Sequence, residues 1–211
     1  MNPFTRTPAG YETRLDPGMT DLLVGASCYL LQVMGEPIEP IDDPLVALEF
    51  QPESTDPAIM AMVSGQPTAH APGSDDPVLT RLLPPMSVED PDLAAELRAQ
   101  TYSRVAARKA EQLRNLRDCV IDDTGLIVIP TDQAAAILAA LSDIRLLIAN
   151  RLELQLGDEV DHLQDIVWDI TGDTLSHHGG RQLRILVHLY RYATWWQASL
   201  VELLGDELPA A

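Results

Sequence analysis

The chain has 211 residues, with 32 acidic side chains against 14 basic ones, a formal net charge of −18 and a pI near 4.4. That length supports one sizeable core or two small ones, and the charge repels nucleic acid and anionic membranes over long range, which leaves neutral or basic proteins as the expected partners. No apolar run approaches the roughly 18 residues a membrane span needs, the N-terminus lacks the apolar stretch of a signal peptide, and Cys28 and Cys119 lie inside apolar helical patterns, where thiols pack as small hydrophobes; a cytoplasmic protein without a disulfide framework is expected.

Five Asp-Pro pairs punctuate the first half: Asp16-Pro17, Asp43-Pro44, Asp56-Pro57, Asp76-Pro77 and Asp90-Pro91. Each reads as a helix start, because Asp accepts from the orphan N–H groups of a first turn and Pro at the next position already has helical φ. Residues 4–15 predict at most one short extended segment. A first helix follows, with Leu22, Leu23, Ala26, Leu30, Val33 and Met34 toward the core and Gly35 as its stop. Two short helices are expected at 45–51 and 58–64, then a linker over 66–74 that contains His70 and reads as solvated chain. From 36 to 92, twelve acidic residues face Arg81 alone, a net of −11.

A long helix is predicted from Pro91 to Cys119, some 28 residues and roughly 40 Å. It is also the basic one. Arg98, Arg104, Arg108, Lys109, Arg114 and Arg117 against Glu111 put 98–117 at +5 in a chain otherwise at −23. After a turn at 122–125, Leu126 to Ile129 reads as a short strand, with any strand in 4–15 as its partner, and Pro130 and Thr131 precede the next helix. That helix, 134–154, carries Ile137, Leu141, Ile144, Ile148 and Leu152 on one stripe and Ala136, Ala140 and Leu147 on the other side. Apolar nearly all round, it has to be buried, and it is the expected centre of the fold. An acidic excursion over 155–180 is expected to be partly helical and to end flexibly at Gly179-Gly180. The last helix, 182–204, sets Leu186, Leu189, Ala193, Trp196, Leu200 and Leu203 on a bundle seam, with Gly205 as its stop.

Four constellations bear on function. The cations of the long helix spread round its axis at 100° per residue instead of forming one stripe, which favours intramolecular pairing or solvation over nucleic-acid contact; an acidic protein partner is the other reading. Arg145 falls in the stripe of Leu141, Ile148 and Leu152, so it is expected as a buried charge met by Glu96, Asp118, Glu202 or helix-end carbonyls, with an anion site as the functional alternative. The excursion holds Asp158, Glu159, Asp161, Asp165, Asp169 and Asp173 beside His162, His177 and His178, without a recognised ligand spacing. No nucleophile motif or phosphate-binding glycine loop is present, and no catalytic residue, cofactor or metal is expected. Opposite the seam of the last helix, His188, Tyr192, Trp195, Ser199 and Glu202 mix aromatic bulk with polar tips; covered, they are a second layer, and exposed, they are the expected partner-binding surface.

Three segments carry a resemblance: Asp76-Pro77 through Arg81-Leu-Leu-Pro84 leading into the long helix, Asp143-Ile-Arg145-Leu followed by Arg151-Leu152, and Tyr190 through Trp195-Trp-Gln197-Ala-Ser199-Leu-Val201. Through them the chain resembles the actinobacterial family of unknown function numbered two thousand and seventeen, with much of 36–74 and most of 155–184 left out of the likeness. The resemblance implies no catalytic residue. It implies a gene neighbourhood shared with the Clp protease adaptor, and members have been labelled transcriptional regulators; both are associations, not mechanisms.

The expected fold is mainly α, an irregular helical bundle around a buried central helix with at most a small two-stranded β element. It forms one domain over 1–211, with an acidic Pro-rich insertion at about 36–75 and the excursion at about 155–180. The expected function is a non-catalytic regulatory or adaptor protein acting through protein contacts, linked through the resemblance to Clp-dependent proteolysis. An enzyme using Arg145 or an acidic/His metal site, and a transcriptional regulator, are the alternatives.

Overall fold

The computed structural model describes residues 2–36, 77–87, 89–121, 125–152, 154 and 178–205. The short helices expected at 45–51 and 58–64, the linker with His70, and the excursion residues through His177 lie outside these. Within them the chain runs β1 (Thr5–Thr7), β2 (Gly10–Arg14), α1 (Pro17–Val33), α2 (Pro77–Leu82), α3 (Pro91–Val120), β3 (Leu126–Ile129), a 3-10 turn (Thr131–Gln133), α4 (Ala134–Arg151) and α5 (His178–Gly205). The fold is mainly α with a small antiparallel sheet.

Helices start at Pro17, Pro77 and Pro91, as expected from three of the five Asp-Pro pairs, while Asp43-Pro44 and Asp56-Pro57 lie outside the described residues. Asp90 precedes α3 and its carboxylate accepts the Leu93 N–H at 3.0 Å, Pro77 opens α2, and Asp16 precedes α1 with Pro17 in the first turn, although its side chain makes no capping bond. At the other end of α1, Gly35 takes φ +80°. That conformation lets Gly35 N–H reach Gln32 O at 2.9 Å and Glu36 N–H reach Leu31 O at 3.0 Å, the paired closure that satisfies the last carbonyls of a helix.

α4 is the centre of the molecule. Ile137, Leu141, Ile144 and Ile148 are fully buried, as are Ala140 and Leu147 on the second side, where Ala136 is half-buried, and α1, α2, α3 and α5 all pack against it. The helix ends at Arg151, short of the expected 154, because the chain turns there: Leu154 N–H bonds back to Ala149 O at 2.9 Å and Leu154 itself is buried. Its start at Ala134 is the expected one, but Thr131, expected as the cap, opens a 3-10 turn instead, with Gln133 N–H on Pro130 O, and Gln133 is the N-cap. α5 lays Leu186, Leu189, Ala193, Trp196 and Leu200 into the core, with Leu203 partly buried. It begins at His178, so Gly179 and Gly180 are helical and not the flexible end expected of them.

The sheet is larger than expected, with three strands in the order β1-β2-β3. Residues 4–15 form a hairpin that pairs Thr5 with Glu12 and Thr7 with Gly10, and β2 then pairs Tyr11 with Ile129 and Arg14 with Leu126. Gly10 makes this possible. A Cβ there would stand 2.1 Å from Ile129 O, and its φ of +131° suits only glycine. Tyr11, Thr13 and Leu15 point inward while Arg14 stays exposed, the period-2 alternation of a half-buried strand. β3 packs against α3, and just before β1 the Phe4 ring lies 4.7 Å from that of Trp196 on α5.

α3 is 30 residues long and spans roughly 45 Å. Its core residues are concentrated at one end: Ala110, Leu113, Leu116 and Val120 are buried, whereas Ala94 alone is buried in the first three turns. The first half therefore runs along the outside of the bundle, against the chain that follows α2.

Candidate functional site

The α5 stripe proposed from the sequence is not one exposed surface. His188 and Glu202 are exposed, Trp195 and Ser199 are half-buried, and Tyr192 is 2% exposed. The Tyr192 ring lies 6.1 Å from that of Trp195 and 6.0 Å from that of Trp196, and burial, with the Asp16 carboxylate as the lesser cause, pushes its phenol up to about 12. Ser199 accepts the Phe4 N–H at 3.5 Å and donates to Trp196 O at 2.9 Å. Phe4, just before β1, thus reaches Trp196 and Ser199, and Tyr192 is buried among the rings of its own helix.

Arg145 is half-buried between α4 and α5. Its Nη1 donates to Gln197 Oε1 at 2.9 Å, its Nη2 to the Tyr190 hydroxyl at 3.2 Å, and the guanidinium sits 5.2 Å over the Tyr190 ring. Gln197 Nε2 in turn donates to Ser142 at 2.7 Å, and Ser142 to Leu138 O at 2.9 Å. Of the expected carboxylate partners, Asp118 pairs with Arg117 at 2.9 Å, Glu96 accepts from Gln100 and Glu202 is exposed. The partners shown on α5 are neutral side chains, Gln197 and Tyr190.

The buried charge lies two residues earlier. Asp143 is 2% exposed and receives Lys109 Nζ at 2.6 Å. Burial raises its pKa, against the hydrogen bond and charge of Lys109, which lower it, and its Oδ2 has no hydrogen-bond partner among the described residues. Asp143 was readable: at three and four residues from Ala140 and Leu147 it stands in the apolar stripe on the far side of α4, where an acid requires a cation. A third charged group on α4, Arg151, donates to the Tyr29 hydroxyl and stands 5.6 Å over that ring.

The cations of α3 are mostly occupied. Lys109 meets Asp143, Arg114 meets Glu36 at 2.9 Å and Arg117 meets Asp118. Arg98 donates to Leu83 O at 3.3 Å and lies 5.6 Å over the Tyr102 ring. Arg104 and Arg108 are exposed.

Arg98 belongs to a groove that sequence reading did not find. Leu82, Leu83, Pro84, Pro85 and Met86 form one wall, Arg98, Thr101, Tyr102 and Val105 of α3 the other, around an open space of about 190 Å³. Pro84 and Pro85 stop α2 and hold the following chain extended beside α3. Thr101 donates to Leu97 O at 2.7 Å and lies 3.7 Å from Met86 Sδ, and the Met86 side chain is 57% exposed at the mouth. Both walls are mainly apolar and both rest on helices. Among the described residues no three His, Cys, Asp or Glu side chains come together as a metal site, and no helix is long and apolar enough to cross a membrane.

The molecule is thus mainly α, with a buried central helix, a small antiparallel sheet against α3 and an apolar groove between 82–86 and α3. It belongs to the family described as Domain of unknown function (DUF2017), which matches residues 1–204. The matched span includes 36–74 and 155–184, stretches largely left out of the resemblance. No curated protein and no solved structure matches the chain.

Proposed function

We propose that the protein is a non-catalytic regulatory or adaptor protein of the cytoplasm that acts by docking other proteins, and that the groove between 82–86 and α3 is its contact site. One observation carries this reading. The groove is an open apolar cleft with a methionine more than half exposed at its mouth, and such a cleft gains free energy by taking a partner's side chain out of water, with the unbranched thioether adapting to its shape. The described groove is at Leu82–Val105 and not at Arg145, whose guanidinium is engaged by Gln197 and Tyr190. That favours docking over a reaction at Arg145. His188 and Glu202, the exposed ends of the α5 stripe, offer at most a second, polar contact. Components of Clp-dependent proteolysis, to which the family resemblance points, are the first partners to test.

The test is site-specific crosslinking in the native cytosol. A photoreactive residue at Thr101 in the groove should capture one dominant protein, whereas the same residue at Glu111, exposed on α3 beyond the groove, should not. Equal capture at both positions, or none at Thr101, overturns the reading.

A further inference from the structure

We infer that the groove takes a peptide segment in which an apolar side chain is flanked by carboxylates; the inference rests on the docking role proposed above. The apolar requirement follows from the walls, Leu82, Leu83 and Val105 among them, and from a space of about 190 Å³, which suits one or two large aliphatic or aromatic side chains and no folded domain.

The acidic requirement follows from the cations along the α3 wall. Arg98 is exposed, yet its guanidinium is fixed at the groove by the bond to Leu83 O and by the Tyr102 ring beneath it. That anchoring uses Nη2; the other N–H groups of the fork have no acceptor among the described residues. Arg104 lies three residues beyond Thr101, and Arg108 four beyond Arg104 and three beyond Val105. At helical spacing Arg104 neighbours Thr101 and Arg108 neighbours Val105, so the two guanidinia flank the α3 wall of the groove, with Glu111 three residues beyond Arg108 at the far end. Both are exposed, and among the described residues neither has an ion-pair partner, whereas Lys109, Arg114 and Arg117 each have one. The acids of the same half of α3, Asp92 and Glu96, fall on the other side of the helix at 100° per residue.

Charge complementarity therefore selects carboxylates, despite a net charge of −18 on the chain. Beyond a screening length of about 8 Å at physiological salt the global repulsion fades, while three cations beside a bound segment act at close range. Arg also suits a carboxylate geometrically, because its planar fork donates two parallel bonds.

The experiment is a fluorescence-anisotropy titration of the full chain with three labelled peptides of equal length. One places a Leu-Phe pair among Asp and Glu residues, one replaces the acids with Lys, and one keeps the acids but replaces Leu-Phe with Ser. The acidic-apolar peptide should bind tightest and weaken as salt rises. Arg104→Glu together with Arg108→Glu should weaken it about tenfold with an unchanged melting temperature, and Thr101→Trp, which fills the groove, should abolish it. Tighter or equal binding of the Lys peptide, indifference to the double charge reversal, or no binding by any peptide overturns the inference. If the Lys peptide binds and Thr101→Trp blocks it, the docking groove stands and only the acidic chemistry falls. If Thr101→Trp changes no peptide's binding, the groove falls with it.

Discussion

α4 presents a charged group to each of two neighbours, and the two are handled in opposite ways. Toward α3, Asp143 is fully buried and held by Lys109 at 2.6 Å, with one carboxylate oxygen left without a hydrogen bond. Toward α5, Arg145 is half-buried, stacked on Tyr190 and bonded to its hydroxyl and to Gln197. The difference follows from what each charge is able to do. A carboxylate in a dry interface needs a cation or a proton, whereas a guanidinium spreads its charge over a plane that an aromatic face and neutral oxygens satisfy. A buried pair is costly to break from one side, and a half-buried ladder of neutral hydrogen bonds is cheaper.

The largest effect should come from Lys109→Met, which strands Asp143. Chemical denaturation at neutral pH should show a loss of about 3 kcal/mol. Adding Asp143→Leu should restore much of it, since the pair is then replaced by apolar volume; a double variant as unstable as the single one would mean that packing, not charge, sets the cost.

The same pair predicts a pH signature. Burial raises the Asp143 pKa above its ordinary value of 3.8, so the folded chain holds that proton more tightly than the unfolded one. This contribution to stability is full below the ordinary value and is lost as pH rises through the folded value. Lys109→Met removes both influences that lower the folded pKa and extends the loss toward neutrality. The gap between variant and wild type should accordingly be small in acid and widen as pH rises. A gap that stays constant from pH 4 to 8 would show that Asp143 does not titrate in this range.

How far this architecture is legible in the sequence depends on how local its causes are. The double apolar stripe of α4, the helix starts at Pro17, Pro77 and Pro91 and the Gly35 stop are set by residues within a turn of one another, and they stand where the pattern puts them. The hairpin was undercounted because what fixes it is tertiary: Gly10 is required by Ile129 O, more than a hundred residues away. Arg145 was correctly placed on the stripe of Leu141 and Ile148, but the pattern gave no way to know that α5 would answer it with an amide and a phenol. The groove was hidden for another reason. Leu83-Pro-Pro-Met86 reads as a connection between helices, and only its packing against Arg98 to Val105 turns it into a wall.

On the α5 side the costs should be smaller. Arg145→Met should lose about 1 kcal/mol, the scale of the hydrogen bonds it removes, because Met keeps the stem volume and the Gln197 and Tyr190 oxygens it abandons are neutral. A loss as large as that of Lys109→Met would erase the contrast between the two sides of α4.

The smallest predicted effect separates the ring from the hydroxyl beneath Arg145. Tyr190→Phe keeps the face over which the guanidinium sits at 5.2 Å and removes the oxygen that accepts Nη2 at 3.2 Å. A bond of that length to a half-exposed cation is easily replaced by water, whereas the stacking is geometric and persists. Thermal denaturation should show a loss of about 0.5 kcal/mol for Tyr190→Phe, against about twice that for Gln197→Leu, which severs Arg145 from Ser142 at once. If Tyr190→Phe proves the costlier of the two, the hydroxyl and not the ring holds Arg145, and the α5 side depends on a specific hydrogen bond much as the α3 side depends on its ion pair.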